Sequence, residues 1–166
     1  MIKGLHHNAY RCRDSEQTRR FYEDFLGLKL AGTLEIGETK SGRKTDTLHT
    51  FYRLGDGSFL AFFEAPDRPF EFKDQHDFDL HIALEVSPEH LKAMLAKGKA
   101  AGVETRGVSD HGFIDSIYFR DPNGYVIELT AKRPDHDALM DPNRNEAREK
   151  LDAWQQRKGA ARQGRG

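Results

Sequence analysis

The sequence predicts an α+β fold in which two βαβββ modules pair their sheets around a shared cleft. Three observations carry this expectation. His7-Asn8-Ala9-Tyr10-Arg11-Cys12-Arg13-Asp14 and His81-Ile82-Ala83-Leu84-Glu85-Val86-Ser87-Pro88 share one pattern: His-x-Ala, an aromatic or Leu, any residue, then a small apolar one, ending on a turn or helix-starting residue. A helix-like stretch follows each segment. Further on, each half closes with a strand, a glycine-containing turn and a second strand.

The segment at His7 alternates as a strand should. Ser15 to Phe25 (SEQTRRFYEDF) reads as a helix, with Ser15 as its N-cap and Gly27 just past its end. Phe51 to Phe63 then reads as strand, Gly-Asp-Gly turn, strand. In the second half His81 opens a strand, and Pro88 to Lys99 forms a helix that closes near Gly102. Ser116 to Leu129 reads as strand, Asp-Pro-Asn-Gly turn, strand, with Asn-Gly a strong hairpin signal. Each half is thus a strand, a helix, then two or three strands. The modules span residues 1–66 and 77–131 within a domain of residues 1–131. Residues 132–166 form a C-terminal extension. In it, Asn143 to Lys158 predicts one polar helix with Ala147, Leu151 and Trp154 on a single stripe, suited to docking on the domain body or a second subunit. The final GAARQGRG reads as a disordered basic tail, because it has nothing to bury.

The 166 residues suit one domain or two small modules sharing a core. Charged residues make up 32% of the chain, yet eleven Phe and an apolar fraction of 37% allow a packed core. With 26 basic against 27 acidic side chains, the formal charge of −1 gives no reason for a nucleic-acid or membrane partner. Cys12 is the single cysteine, so no internal disulfide can form. The N-terminus lacks a long apolar run, and no segment approaches the roughly 18 apolar residues of a membrane span. A cytoplasmic location is expected.

His7 and His81 occupy the same place in the two repeats, and Glu128 lies on the last strand of the second module, which would return beside His81. Two neutral imidazoles and a carboxylate on one face can hold a divalent ion and leave open positions on it. A lone histidine among eight would ordinarily be a surface or core residue. Two at repeat-equivalent positions are harder to explain that way. The carboxylate on the otherwise apolar strand Tyr125-Val126-Ile127-Glu128-Leu129 would also be costly unless paired or metal-bound. His6 competes with His7, but strand alternation sends the two to opposite faces. His49, His76, His90 and His136 read as surface residues, with His49 able to line the cleft mouth.

The chain resembles the vicinal oxygen chelate superfamily, which includes glyoxalase I, extradiol ring-cleavage dioxygenases, methylmalonyl-CoA epimerase and fosfomycin- and bleomycin-resistance proteins. The matching residues are His7 to Asp14 with Phe21-Tyr22 and Leu26-Gly27-Leu28, then His81 to Leu84, then Ser116 to Gly124 leading to Glu128. In glyoxalase-like and epimerase-like members, the resemblance implies, the first module supplies its own Glu or Gln. Gly57 aligns with Gly124, which puts Ala61 at that position. Glu64 stands three residues further on, facing the other side of the sheet unless a bulge intervenes.

Three protein ligands suit an oxygenase, in which a catecholate takes two metal positions and O₂ a third. The resemblance to extradiol dioxygenases implies that Tyr118 touches a substrate oxygen and that His111, on the preceding loop, is the acid–base. The expected function is therefore a mononuclear dioxygenase cleaving a small catechol-like aromatic. Iron(II) is the favoured ion, with Mn, Ni, Co or Zn as alternatives. The relatives imply a homodimer. The alternatives are a glyoxalase I-like lyase or isomerase, with Glu64 as a fourth ligand, and a drug-binding resistance protein of the same fold. A fosfomycin-type transferase would want a potassium loop and a basic anion clamp, neither identifiable here. The sequence leaves open whether the cleft forms within one chain or from modules of two.

Overall fold

The computed structural model describes residues 1–163, and the repeat is visible in its strand order. The first sheet holds β1 (Tyr10–Arg11), β2 (Leu30–Glu38), β3 (Lys44–Arg53) and β4 (Phe59–Glu64), ordered β1-β4-β3-β2. The second holds β5 (His81–Glu85), β6 (Thr105–Asp110), β7 (Ile114–Arg120) and β8 (Val126–Lys132), ordered β5-β8-β7-β6. In each sheet the first strand runs parallel to the last and the others are antiparallel. The second strand in each module, β2 and β6, completes the βαβββ pattern.

Helix α1 (Ser15–Arg19) continues as a wider π-helical segment, Arg20–Phe25. Its N-cap is Asp14 rather than the expected Ser15, because the Asp14 carboxylate accepts from the Gln17 N–H at 2.6 Å. Gly27 follows with φ +85°, the left-handed conformation that ends helices without a Cβ penalty. Helix α2 (Pro88–Ala100) starts from the Ser87 cap with Pro88 at its first position, where proline's missing N–H costs nothing.

One apolar core serves both modules. Tyr22, Tyr52 and Phe62 from the first pack in the same cluster as Ile117, Phe119 and Ile127 from the second, all essentially inaccessible. Polar contacts fasten the junction. The buried Asp121 carboxylate accepts from the Tyr22 hydroxyl and the Asn123 amide on one oxygen, and from the Asn123 and Tyr125 N–H groups on the other. Asn123 also accepts from the Arg13 N–H, and the Tyr125 hydroxyl donates to the Arg11 carbonyl. A groove of about 950 Å³ separates the edge strands β1 and β5, lined in part by Asn8, Tyr10, Leu60, His81, Ile82 and Leu84.

The extension adds α3 (His136–Leu139) and α4 (Ala147–Gln163). Helix α4 begins later than Asn143 and continues past Lys158, so residues expected in a disordered tail are helical as far as Gln163. The remainder of that expected tail lies outside the described residues. Leu151 and Trp154 are exposed, so the apolar stripe does not dock on the domain body.

Candidate metal centre

Strand pairing decides which side chains share a face, since directly opposed residues project to the same side. In the second sheet Ala83 opposes Glu128 and Glu128 opposes Tyr118, which in turn opposes Arg106. His81, two residues before Ala83, joins that face. The other face carries Ile82, Ile127, Leu129, Ile117 and Phe119 and belongs to the core.

The predicted residues of the second module come together on this face. His81 Nε2 lies 3.3 Å from Glu128 Oε2. The Glu128 side chain is buried, while that of His81 is 41% exposed. His81 Nδ1 is 2.7 Å from the Asp77 carbonyl. A carbonyl can only accept, so Nδ1 donates to Asp77 and the ring is turned with Nε2 toward Glu128. His111 Nε2 and the Tyr118 hydroxyl are 2.8 Å apart. Burial, reinforced by the Glu128 carboxylate, pushes the Tyr118 phenol above its ordinary range and keeps it a proton donor at neutral pH. Arg106 stacks over the Tyr118 ring at 5.1 Å and grips Asp77 through both guanidinium NH groups at 2.7 and 3.0 Å.

The matching face of the first module has a different chemistry. His7 bridges to Phe59 as His81 pairs with Val126, and two residues beyond each partner stand Ala61 and Glu128. The register therefore places Ala61 where the resemblance puts a fourth ligand. Glu64 is three residues away, in the opposite phase, and accepts the Ser15 N–H at 2.7 Å. Around His7 the face is aromatic, with Phe51, Phe59 and His49 within 7 Å ring contact of their neighbours.

His49 departs from the expected surface position: only 6% of it is accessible. Its ring stacks on Phe63 at 3.7 Å and lies 6.2 Å from His7, while Nδ1 donates to the Phe62 carbonyl at 2.9 Å. Desolvation lowers its pKa below the usual imidazole value. Its alternation with Phe51 on one strand was the available signal. His6 does not point away from His7 either. The two Nδ1 atoms are 2.8 Å apart, because β1 is regular only from Tyr10 and alternation does not govern the residues before it.

Within one chain His7 is not gathered with His81 and Glu128. Among the described residues no group of three or more His, Cys, Asp or Glu side chains is placed to hold a metal ion. The two half-sites lie on separate sheets. His49, Asp77 and Arg106 join the residues found by sequence, and the last two carried no motif that could have singled them out.

The repeat and its register agree with the outcome of comparison with known proteins. The sequence model of the Glyoxalase/Bleomycin resistance protein/Dioxygenase superfamily matches residues 4–129. The chain belongs to this superfamily. A metallothiol transferase FosB of Bacillus licheniformis is 31% identical over 130 residues, covering 77% of this chain and 75% of that protein. Among solved structures, a glyoxylase/bleomycin resistance protein/dioxygenase domain from Frankia sp. EAN1pec superposes with TM-score 0.65 at 20% identity, over 82% of this chain and 97% of the other. A fosfomycin resistance protein, FosX, from Listeria monocytogenes, complexed with Mn(II) and sulfate, gives TM-score 0.60 at 21% identity, over 83% and 99%. At these identities the two structures establish the superfamily fold and nothing finer. FosB is named for thiol transfer and FosX for fosfomycin resistance, so neither supports the expectation of ring cleavage. No helix among the described residues is long and apolar enough to cross a membrane.

Proposed function

We propose that the protein is a metal-dependent enzyme of the resistance type, whose centre is completed in a homodimer by His7 of one copy with His81 and Glu128 of another. The carrying observation is the buried Glu128 carboxylate 3.3 Å from an imidazole nitrogen whose partner nitrogen is already engaged. Two imidazoles and one carboxylate are hard-to-borderline donors that fit Mn, Fe or Zn and leave positions for substrate. His7 has the same preparation, since its Nδ1 is engaged by His6. With one candidate ligand beside the first sheet, two on the second and, among the described residues, no third ligand within reach in one chain, a two-fold pairing of copies is the simplest way to bring them together.

A bound divalent ion supplies Lewis acidity toward a substrate oxygen. The reaction we favour is addition of a thiol to a small oxygenated electrophile, thiol transfer being what the FosB name states of that relative. In it Tyr118 orients the substrate oxygen, and the His111–Tyr118 pair delivers a proton to it as the electrophile opens. The aromatic face around His7 and His49 shields the reacting atoms from water. Ring cleavage of a catechol is the second reading. It is favoured by one observation: Arg106, the cation stacked on Tyr118, is already spent on Asp77 and offers little to an anionic phosphonate.

The test loads the protein anaerobically with Mn(II) or Fe(II), then follows fosfomycin loss with a thiol and oxygen uptake with a panel of catechols. Fosfomycin loss under Mn(II) supports the first reading, and oxygen uptake under Fe(II) replaces it with the second. The shared centre has its own test. His7→Ala and His81→Ala chains, each inactive alone, should recover about one quarter of wild-type sites when refolded together, since half of random dimers are mixed and each mixed dimer keeps one intact centre. No recovery would place all three ligands within one chain.

A further inference from the structure

We propose that helix α4 of one copy docks in an acidic groove on the β2–β3 hairpin of a second copy. The groove, about 370 Å³, lies where the core face of the first sheet runs out from under helix α1. On that face Tyr52 opposes Leu60 and Thr50 opposes Phe62, all four buried. The next rung is Glu35, Leu48 and Glu64. Glu64 ends β4, and its carboxylate accepts the Ser15 N–H at the start of α1. Past that rung β2 and β3 pair only with each other among the described residues, and Asp46 joins the face two residues before Leu48. A surface that is apolar under the helix therefore turns acidic beyond it, around Leu48 and Pro66. The neighbouring cations Arg43 and Lys44 are already paired with Asp67 and Glu38, and Glu35 and Asp46 have no ion-pair partner among the described residues.

Helix α4 carries the complement. Ala147, Leu151, Trp154 and Lys158 recur at helical spacing and form one stripe. Lys150 and Arg157 flank it on one side and Arg148 on the other, whereas Glu149 and Asp152 point away from it. Arg148 is paired with Asp152, and Lys150 donates to the Asn145 carbonyl. Arg157 lies over the Trp154 ring at 5.3 Å, and neither it nor Lys158 has a carboxylate partner among the described residues. A helix draws most of its stability from packing its apolar face, yet Leu151 and Trp154 are more than half exposed in the single chain. Docking sets Leu151 and Trp154 on Leu48 and Pro66 and brings Arg157 and Lys158 to Glu35 and Asp46. Both halves of the contact belong to the same chain, so a two-fold axis satisfies them reciprocally. The contact uses none of the residues of the proposed metal centre and does not depend on it.

Trp154 is the single tryptophan, so its fluorescence reports this contact alone. The experiment follows the emission of the full chain across a dilution series, with and without added salt. Docked α4 should emit at short wavelength, moving to longer wavelength on dilution and in salt, which screens the paired charges. The double variant Glu35→Lys with Asp46→Lys should raise the dissociation constant about tenfold or more, because like charges then face each other. Adding Arg157→Glu with Lys158→Glu to that variant should restore association, which a folding defect would not allow. Emission of an exposed indole at every concentration overturns the proposal. So does a short-wavelength emission that Glu35→Lys with Asp46→Lys leaves unchanged, since α4 would then pack elsewhere. A shift seen only with vesicles of anionic phospholipid also overturns it, in favour of a membrane surface.

Discussion

The two sheets have the same strand order and matching register, yet their open faces have diverged into opposite chemistries. The second displays His81, Glu128, Tyr118, Arg106 and His111, all polar, with contacts of His81 to Glu128, His111 to Tyr118 and Arg106 to Tyr118. Around His7 the first is largely aromatic, with Phe51, Phe59, Phe63 and the buried His49, and Arg53 at its exposed end. Where the second has Glu128, the first has Ala61. The difference teaches that a duplicated scaffold can preserve backbone geometry while one copy gathers polar side chains on its open face and the other aromatic ones. Because the ladder constrains backbone and side-chain phase but not side-chain type, this divergence costs the fold nothing.

The turns differ in the same way. In the first module the Asp56 turn is on the surface and its carboxylate accepts only from Ser58. In the second, Asp121 is buried at the junction and accepts four donors.

If the second face is the reactive one, Glu128→Gln should abolish stoichiometric Mn(II) binding and lower turnover by about a thousandfold or more, whereas Phe51→Leu on the first face should change turnover by far less. Comparable losses would erase the distinction. Next in size, Tyr118→Phe should lower kcat about 100-fold with the metal still bound, as expected for removal of a proton-transfer partner. A loss of metal with Tyr118→Phe would show that the ring is structural.

Stability should separate the turns. Asp121→Ala should cost about 3 kcal/mol by leaving buried donors unpaired, read from chemical denaturation, while Asp56→Ala should melt close to wild type. A more modest change comes from Ala61→Glu, which should restore a ligand to the first face and tighten Mn(II) about tenfold, a gain of the order of one charged ligand contact. No change in affinity would mean that the first-face position does not face the ion.

The smallest effect concerns the first-module helix, where hydrogen bonds from Arg19 and Arg20 hold exposed Glu16 down to about 2. A carboxyl with a folded value below its unfolded 4.5 stabilises the protein above that value, and the contribution fades as pH falls through about 2. Glu16→Gln should therefore melt slightly below wild type at pH 7 and together with it near pH 2. A gap that persists at pH 2 would assign the effect to packing.

Much of this was legible in the residues alone. The repeat placed His7 and His81 in equivalent positions, and counting from the turn glycines placed Ala61 at the position equivalent to Glu128, which the pairing register reproduces. Those inferences survive because strand phase and turn glycines are local properties. The burial of His49 was legible only in part: its alternation with Phe51 lies in the sequence, but its enclosure also depends on Phe63 from the neighbouring strand. Asp77 and Arg106 were missed for the same reason, being 29 residues apart in sequence and joined only through space. The separation of His7 from His81 and Glu128 follows from how the modules pack, which no motif records. The preference for iron and ring cleavage came from ligand counting, and a count of three does not distinguish an oxygenase from a transferase.

The alanine at position 61 also bears on the ancestry of such centres. Alanine and glutamate codons can differ at a single base, and the backbone already holds position 61 in register with Glu128's counterpart rung. If position 61 faces the proposed centre, a lineage whose alanine codon permits that change stands one point mutation from a different coordination number, with no rearrangement of the chain.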